Sequence, residues 1–235
     1  MKLNTNSNTY ILAYASLLVI AVAFVLAYFS QALKPIQDQN VALDKKKQII
    51  AALNIRDVND NQVEEYYNKL VEADEIINEK NEVLSAGKPG GENDGFKLNG
   101  GDFKAGKLAL FVCNVDGQKK YVMPVYGMGL WGGISGYIAI NADKETIYGV
   151  YFNHEGETAG LGAEIKDNQK WQQQFCGKHL FADGNQDAVA LSVCKKVDNP
   201  ATQVDGVSGA TLTCDGVTRM IHEGLGKYLV FLKDK

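Results

Sequence analysis

The fold is decided by the stretch Asp205-Gly206-Val207-Ser208-Gly209-Ala210-Thr211-Leu212-Thr213. Its glycines let the backbone bend and approach a ligand closely. Apolar residues follow at helical spacing, namely Val217, Met220, Ile221, Leu225 and Leu229. The pattern predicts a small-residue turn that opens a helix, whose free N–H groups suit a phosphate. On spacing alone, a Ser/Thr-capped helix without a ligand is an equally good interpretation.

The same stretch resembles the flavinylation signature of bacterial FMN-binding domains. Members of that family include the C subunits of sodium-translocating NADH:quinone reductases and the G subunits of Rnf complexes. The resemblance implies that FMN is joined through its phosphate to the hydroxyl of Thr213. The other motif positions implied to contact the cofactor are Asp205, Ser208, Gly209, Ala210, Thr211 and Leu212.

A second candidate segment lies between two predicted hairpins and reads Tyr126-Gly127-Met128-Gly129-Leu130-Trp131-Gly132-Gly133-Ile134. Its glycines disfavour a strand and favour a loop that lays an apolar surface against a flat ring. A tryptophan that fills the core under a loop is the competing interpretation. The family carries a similar G-x-G-L-W-G stretch, which implies cofactor contact for Gly129, Leu130 and Trp131.

A third segment, residues 154–165, resembles the family's H-x-E-T-P-G-L-G stretch. It departs from that pattern by a wider His154–Glu157 spacing and by Ala159 where proline is usual, which removes a constraint on φ. The resemblance implies that the flavin pocket is lined by Glu157, Thr158, Gly160, Leu161 and Gly162. His154 and Glu157 are consistent with a proton-handling pair or with an ordinary surface loop, so no catalytic residue is assigned.

Composition excludes several other functions. The net charge of −4 gives no basic surface for nucleic acid. The four cysteines form no C-x-x-C pair and there are only three histidines, so no metal site is expected. Spacing does not decide whether any cysteines form a disulfide.

Residues 10–29 contain neither a charge nor a proline. A helix needs about 20 apolar residues to cross a membrane, and tyrosines lie near both ends of this segment. A cleaved signal peptide requires a shorter apolar core and a better cleavage site. The segment is therefore predicted to be a retained single-pass anchor.

Two lines of reasoning disagree about the orientation of this anchor. Lys2 lies on one side, and the other side carries Lys34, Lys45, Lys46 and Lys47. The positive-inside rule thus places the large domain in the cytoplasm. The family resemblance implies the reverse, namely a bacterial inner-membrane protein with its flavin domain on the periplasmic or outer side. We follow the resemblance, because it implies attachment of the flavin by a transferase on that side.

The remaining chain predicts an α+β fold. Helices are expected over residues 35–53 and 63–84, and a Gly-rich linker over 85–106. Strand pairs are expected over 108–112 with 120–126 and over 134–140 with 146–152, and a further strand over 188–193. The predicted organisation is a cytoplasmic stub and transmembrane helix (1–34), a helical spacer and loop (35–106) and an antiparallel-sheet, covalent FMN-binding domain (107–235).

The resemblance implies an electron-relaying flavoprotein subunit of an ion-translocating NADH:quinone oxidoreductase. Its partners would be the other membrane subunits and, for maturation, a flavin transferase. Two alternatives remain, an Rnf-type subunit and a membrane-tethered flavin-binding regulatory module that is not an enzyme. A stand-alone flavin reductase is less well supported, because the sequence carries no nicotinamide-binding fingerprint.

Overall fold

The computed structural model describes residues 7–234. The chain divides into two compact units, Met1–Asp44 and Lys45–Lys235. Lys2 and the other first residues of the predicted cytoplasmic stub lie outside the described residues.

The predicted anchor lies in a 45-residue helix, α1 (Asn8–Ala52). Its most apolar window has a mean hydropathy of 2.5, so the helix is long and apolar enough to cross a membrane. Pro35 lies inside α1, so the anchor and the helix predicted from residue 35 form one continuous element. The last turns of α1 belong to the second unit, where Ile49 and Ile50 are buried.

The second unit is built on an antiparallel sheet of six strands in the order β2-β1-β3-β4-β5-β6. The strands are β1 (Val71–Ile77), β2 (Val83–Ser85), β3 (Leu108–Val115), β4 (Gln118–Met128), β5 (Gly133–Asn141) and β6 (Ile147–His154). Both predicted hairpins are confirmed. Asp116 and Gly117 have φ of 52° and 79°, the left-handed values that a two-residue hairpin turn requires.

The prediction of a helix over residues 63–84 is wrong beyond residue 70. The helix α2 (Val63–Leu70) ends there, and β1 pairs with β3 along its length. The Glu-rich composition favours a helix locally, but pairing with a neighbouring strand overrides this preference. The predicted strand at 188–193 is also displaced, because β7 (Ser192–Cys194) is short and pairs in parallel with β8 (Gln203–Asp205).

The long helix α6 (Thr211–Gly226) packs on one face of the sheet, mainly against β4. Met123 and Val125 of β4 share the core with Val217 and Ile221 of α6. The opposite face is also covered, since α2 packs on β1 and β3 and Phe111 is fully buried there. The remaining helices are α3 (Gly100–Lys104), α4 (Glu164–Asp167), α5 (Gln169–Gln173), α7 (Leu229–Lys233) and a 3-10 turn (Gly95–Lys97). The predicted α+β class with an antiparallel sheet is confirmed.

Candidate functional site

The site is organised around the first turn of α6. The helix begins at Thr211, and its N-cap residue, Ala210, provides no side-chain hydrogen bond. A Ser/Thr cap, the alternative interpretation of this stretch, is therefore not formed. The N–H groups of an uncapped first turn are free to bind an anion and carry the positive end of the helix dipole. Thr211 and Leu212 are exposed, whereas Thr213 is only 2% exposed.

The turn before α6 is fixed by contacts of its backbone. Gly209 has φ of +77°, a value that favours glycine. The N–H of Val207 donates to Sγ of Cys214 at 3.3 Å, and burial raises the pKa of that thiol. The indole N–H of Trp171 donates to the carbonyl of Asp205 at 2.8 Å. The turn is thus fixed by one hydrogen bond to Cys214 of α6 and by another to Trp171 of the core.

The glycine-rich loop after β4 presents its apolar residues to solvent. Trp131 is 70% exposed and Leu130 is 46% exposed, so Trp131 does not fill the core. The buried tryptophan of this domain is Trp171, at 4% exposure. The N–H of Gly129 donates to the carbonyl of Gly132 at 2.9 Å and closes the loop.

Glu157 connects this loop to the helix. The N–H of Trp131 donates to Oε1 of Glu157 at 2.9 Å, and the hydroxyl of Thr213 donates to Oε2 at 2.5 Å. Glu157 is only 7% exposed. Burial acts to raise the pKa of this carboxyl, but the hydrogen bond from Thr213 and those from the loop backbone outweigh burial, so the pKa is lowered. Glu157 is therefore a carboxylate at neutral pH.

Glycines provide the space for this contact. A Cβ on Gly129 would lie 2.5 Å from Oε1 of Glu157. A Cβ on Gly162 would lie 2.5 Å from Oε2 and 2.6 Å from Oγ1 of Thr213. A Cβ on Gly216 of α6 would lie 2.5 Å from the carbonyl oxygen of Met128. Real Cβ atoms do not approach so closely, so a side chain at Gly129 or Gly162 would displace the Glu157 carboxylate, and one at Gly216 would collide with backbone.

His154 and Glu157 do not form a side-chain pair. Instead, the backbone N–H of Glu157 donates to Nδ1 of His154 at 3.2 Å. The imidazole thus helps to shape the turn after β6, and the carboxylate points to Thr213.

The three sequence segments meet in one cavity of about 190 Å³, which we call the threonine cavity. Its lining consists of Leu130, Trp131, Glu157, Thr158, Leu161, Gly162, Gly209, Ala210, Thr211, Leu212 and Thr213. Two further predicted residues, Gly129 and Gly160, do not line it. Gly129 packs behind Glu157, and Gly160 has φ of +72° in the turn that carries Leu161.

Asp205 and Ser208 lie in a second cavity of about 450 Å³ next to the helix start. Gly209 and Thr211 line both cavities. Two charged residues of this second cavity, Lys195 and Asp215, were not predicted from the sequence. For Asp215, the one sequence signal is its position two residues after Thr213.

The threonine cavity fits a flavin mononucleotide in chemical character. The exposed side chains of Leu130, Trp131, Leu161 and Leu212 offer an apolar rim for a flat ring. The uncapped first turn of α6 offers N–H donors for a phosphate beside Thr213.

Comparisons with known proteins agree with this assignment. The FMN-binding domain family model matches residues 129–226. The chain is 31% identical over 255 residues to the C subunit of the Na(+)-translocating NADH-quinone reductase of Haemophilus ducreyi, and the match covers 99% of this chain and 97% of the relative. It is 31% identical over 241 residues to the protein of that name from Pasteurella multocida, with 92% and 91% covered. The crystal structure of the corresponding protein from Parabacteroides distasonis matches with a TM-score of 0.78 at 37% identity, covering 86% of this chain and 98% of that chain.

Proposed function

We propose a covalent flavin-carrier function for this chain, which belongs to the family of C subunits of Na(+)-translocating NADH-quinone reductases. It is a membrane-anchored flavoprotein subunit that transfers electrons within such an oxidoreductase complex, and Thr213 is the residue that carries FMN through a phosphoester. The observation that supports this most strongly is the convergence of three separate segments on the hydroxyl of Thr213.

Each part of the threonine cavity has its own task in this proposal. The bound flavin supplies reversible uptake and release of electrons. Leu130, Trp131, Leu161 and Leu212 hold its ring, and Thr158 hydrogen-bonds its polar edge or side chain. The first turn of α6 offsets the phosphate charge. All of these groups lie within residues 107–235, and we assign 1–34 to the stub and anchor. Within residues 35–106, β1 and β2 belong to the same sheet as the flavin-binding part.

Maturation requires a flavin transferase. We assign Asp205 and Ser208 to the surface that this enzyme contacts, because both lie in the second cavity, next to the helix start but away from Glu157. Lys195 lines the same cavity and provides a positive charge there, together with the carboxylates of Asp205 and Asp215.

We place the flavin domain on the outer side of the cytoplasmic membrane. Of the four lysines that favour the opposite orientation, three have partners inside the folded second unit. Lys45 donates to the carbonyl of Leu98 at 2.9 Å, Lys46 pairs with Glu92 at 2.6 Å, and Lys47 pairs with Asp60 at 2.6 Å. Their presence is explained by folding and does not require a cytoplasmic location.

The alternatives differ in their partners. An Rnf-type subunit would co-purify with Rnf proteins, and a regulatory module would co-purify with no redox subunits. Similarity over 99% of the chain to a NADH-quinone reductase component favours membership of that complex.

The decisive biochemical test is co-expression with a flavin transferase, followed by a denaturing gel viewed under ultraviolet light. We expect a fluorescent band for the wild type and Thr211→Ala, and none for Thr213→Ala. A fluorescent band in Thr213→Ala would refute the attachment site.

A further inference from the structure

Glu157 is a buried carboxylate whose negative charge needs an explanation. Burying a carboxylate is costly unless it is paired or strongly hydrogen-bonded. Within residues 7–234, the groups that act on its pKa are hydroxyl and backbone N–H donors, and no lysine or arginine is among them. The position of this group, on the hydroxyl proposed to carry FMN, indicates a chemical task.

We propose that Glu157 is the general base that removes the proton of Thr213 when the flavin phosphate is attached. This inference rests on the proposed function, because it concerns the same hydroxyl. Two features of the geometry support it. Oε2 of Glu157 lies 2.5 Å from Oγ1 of Thr213 and accepts a hydrogen bond from this hydroxyl. Both residues line the threonine cavity, beside the first turn of α6 where the phosphate is proposed to bind.

The proposed step balances without an oxidant or a reductant. The flavin donor must be a dinucleotide, because its pyrophosphate linkage supplies a leaving group that FMN alone lacks. Oγ1 of Thr213 forms a bond to the flavin-bearing phosphorus, and the P–O bond to the adenylate half breaks. The hydroxyl proton passes to Oε2 of Glu157, and AMP leaves with the electron pair of the broken bond. Glu157 afterwards loses its proton to water, since the N–H of Trp131 still favours the carboxylate.

The neighbouring glycines keep the base in place. A Cβ on Gly129 or Gly162 would lie 2.5 Å from a carboxylate oxygen of Glu157 and would displace it from this position. The N–H of Trp131 fixes one oxygen and leaves the other for Thr213. A base positioned in this way contributes about 10²–10⁴-fold to the rate of a proton transfer.

The test uses the full-length chain in detergent, purified from cells without a flavin transferase, and mixed with purified transferase, Mg²⁺ and a flavin dinucleotide. The measurement is the rate of the mass increase at saturating chain concentration. The variants are Glu157→Gln, which keeps the size of the side chain, and Glu157→Ala, which leaves room for formate. Glu155→Gln is the matched control, because Glu155 is an exposed carboxylate two residues away.

We expect Glu157→Gln to slow attachment by about 10²-fold or more, and Glu155→Gln to react like the wild type. Added formate should accelerate Glu157→Ala in proportion to its concentration and leave the wild type unchanged, because formate takes the place of the missing base. An acceleration by formate is not expected if Glu157 is only structural.

Two results would overturn the assignment of the base while leaving Thr213 as the attachment site. One is attachment to Glu157→Gln at the wild-type rate. The other is a loss of attachment in Glu157→Ala that formate does not relieve, which would assign Glu157 a structural role. If the wild type itself gained no mass, the proposed function would fail together with this inference, so the two failures are distinguishable.

Discussion

At the scale of single residues, the site depends on glycines, which leave space, as much as on the side chains of Glu157 and Thr213. Glu157 and Thr213 are both buried, and their contact fills the space beside Gly162. A small increase in side-chain volume at such a position is destabilising, because protein interiors are close-packed.

Replacement of Gly162 by alanine tests this packing. The new Cβ would lie 2.5 Å from Oε2 of Glu157 and 2.6 Å from Oγ1 of Thr213, so it must push the two groups apart. We expect a loss of about 1–3 kcal/mol in unfolding free energy by urea denaturation, and loss of flavin attachment. Gly156→Ala is the control, since nothing lies within 4 Å of its Cβ position. Equal stability of the two variants would contradict the geometry of the contact.

The charge of Glu157 also predicts a pH dependence. Its folded-state pKa lies below the ordinary value of 4.5, so the unfolded chain binds this proton more readily than the folded chain. The stabilisation is therefore present above the ordinary pKa and is lost as the pH falls through the lowered value. We expect the difference in unfolding free energy between wild type and Glu157→Gln to shrink as the pH falls from neutral through the ordinary carboxyl value and below it. A difference that grew on acidification would contradict the direction of the shift.

At the scale of elements, the site is positioned by the close approach of α6 to β4. Gly216 of α6 meets the backbone of Met128, where β4 ends and the tryptophan loop begins. This approach brings the first turn of the helix beside the loop, and it requires a glycine in the middle of a helix despite the cost of glycine to helix stability.

Two alanine substitutions in the same helix should have opposite effects. Gly216→Ala would place its Cβ 2.5 Å from the Met128 carbonyl oxygen, and we expect a loss of about 1–3 kcal/mol in urea denaturation. Gly226→Ala meets nothing within 4 Å, so we expect a gain of up to about 1 kcal/mol from helix propensity. Destabilisation by both variants to the same extent would contradict this description of the α6–β4 packing.

The elements that the sequence predicted correctly are those with local signals. The hairpin carries its turn residues Asp116-Gly117, and the helix after Thr211 carries apolar residues at helical spacing. The strand β1 could not be predicted, because its buried Asp74 looks like a solvent-facing helical residue. In the structure this carboxylate accepts N–H groups of the distant residues Lys88, Asp94 and Phe96.

Contacts between residues that are distant in the sequence also limit the prediction of the site. The residues of the cavity were recognised from three short motifs, each of which is local. The contact between Glu157 and Thr213 joins positions 56 residues apart, and it uses the space beside Gly162 and beside Gly129 of a third segment. The paired side chain that the sequence suggested, His154 with Glu157, is replaced by a backbone contact.

At the scale of the whole molecule, the question is on which side of the membrane the second unit lies. The four cysteines are all free thiols, and they differ in accessibility. Cys176 is exposed, whereas Cys113 and Cys214 are buried and burial raises the pKa of both thiols. Because the thiolate is the reactive form, Cys176 should react first.

Labelling of Cys176 with a membrane-impermeant maleimide therefore measures orientation. In cells whose outer membrane has been permeabilised but whose inner membrane is intact, we expect labelling of the wild type at the level seen after lysis. Cys176→Ser is the control and should lose most of the signal. Labelling of Cys176 that required lysis of the inner membrane would place the domain in the cytoplasm and contradict the proposed sidedness.

The central claim is that Thr213 carries the flavin. Its most direct test is peptide mapping of the protein purified from cells that possess a flavin transferase. Trypsin is expected to release residues 197–219 as one peptide, since Lys196 and Arg219 bound it. We expect the mass of this peptide to be increased by FMN less one water, with fragment ions that assign the addition to Thr213. An unmodified peptide, or an addition assigned to Ser208, Thr211 or Thr218, would contradict the account.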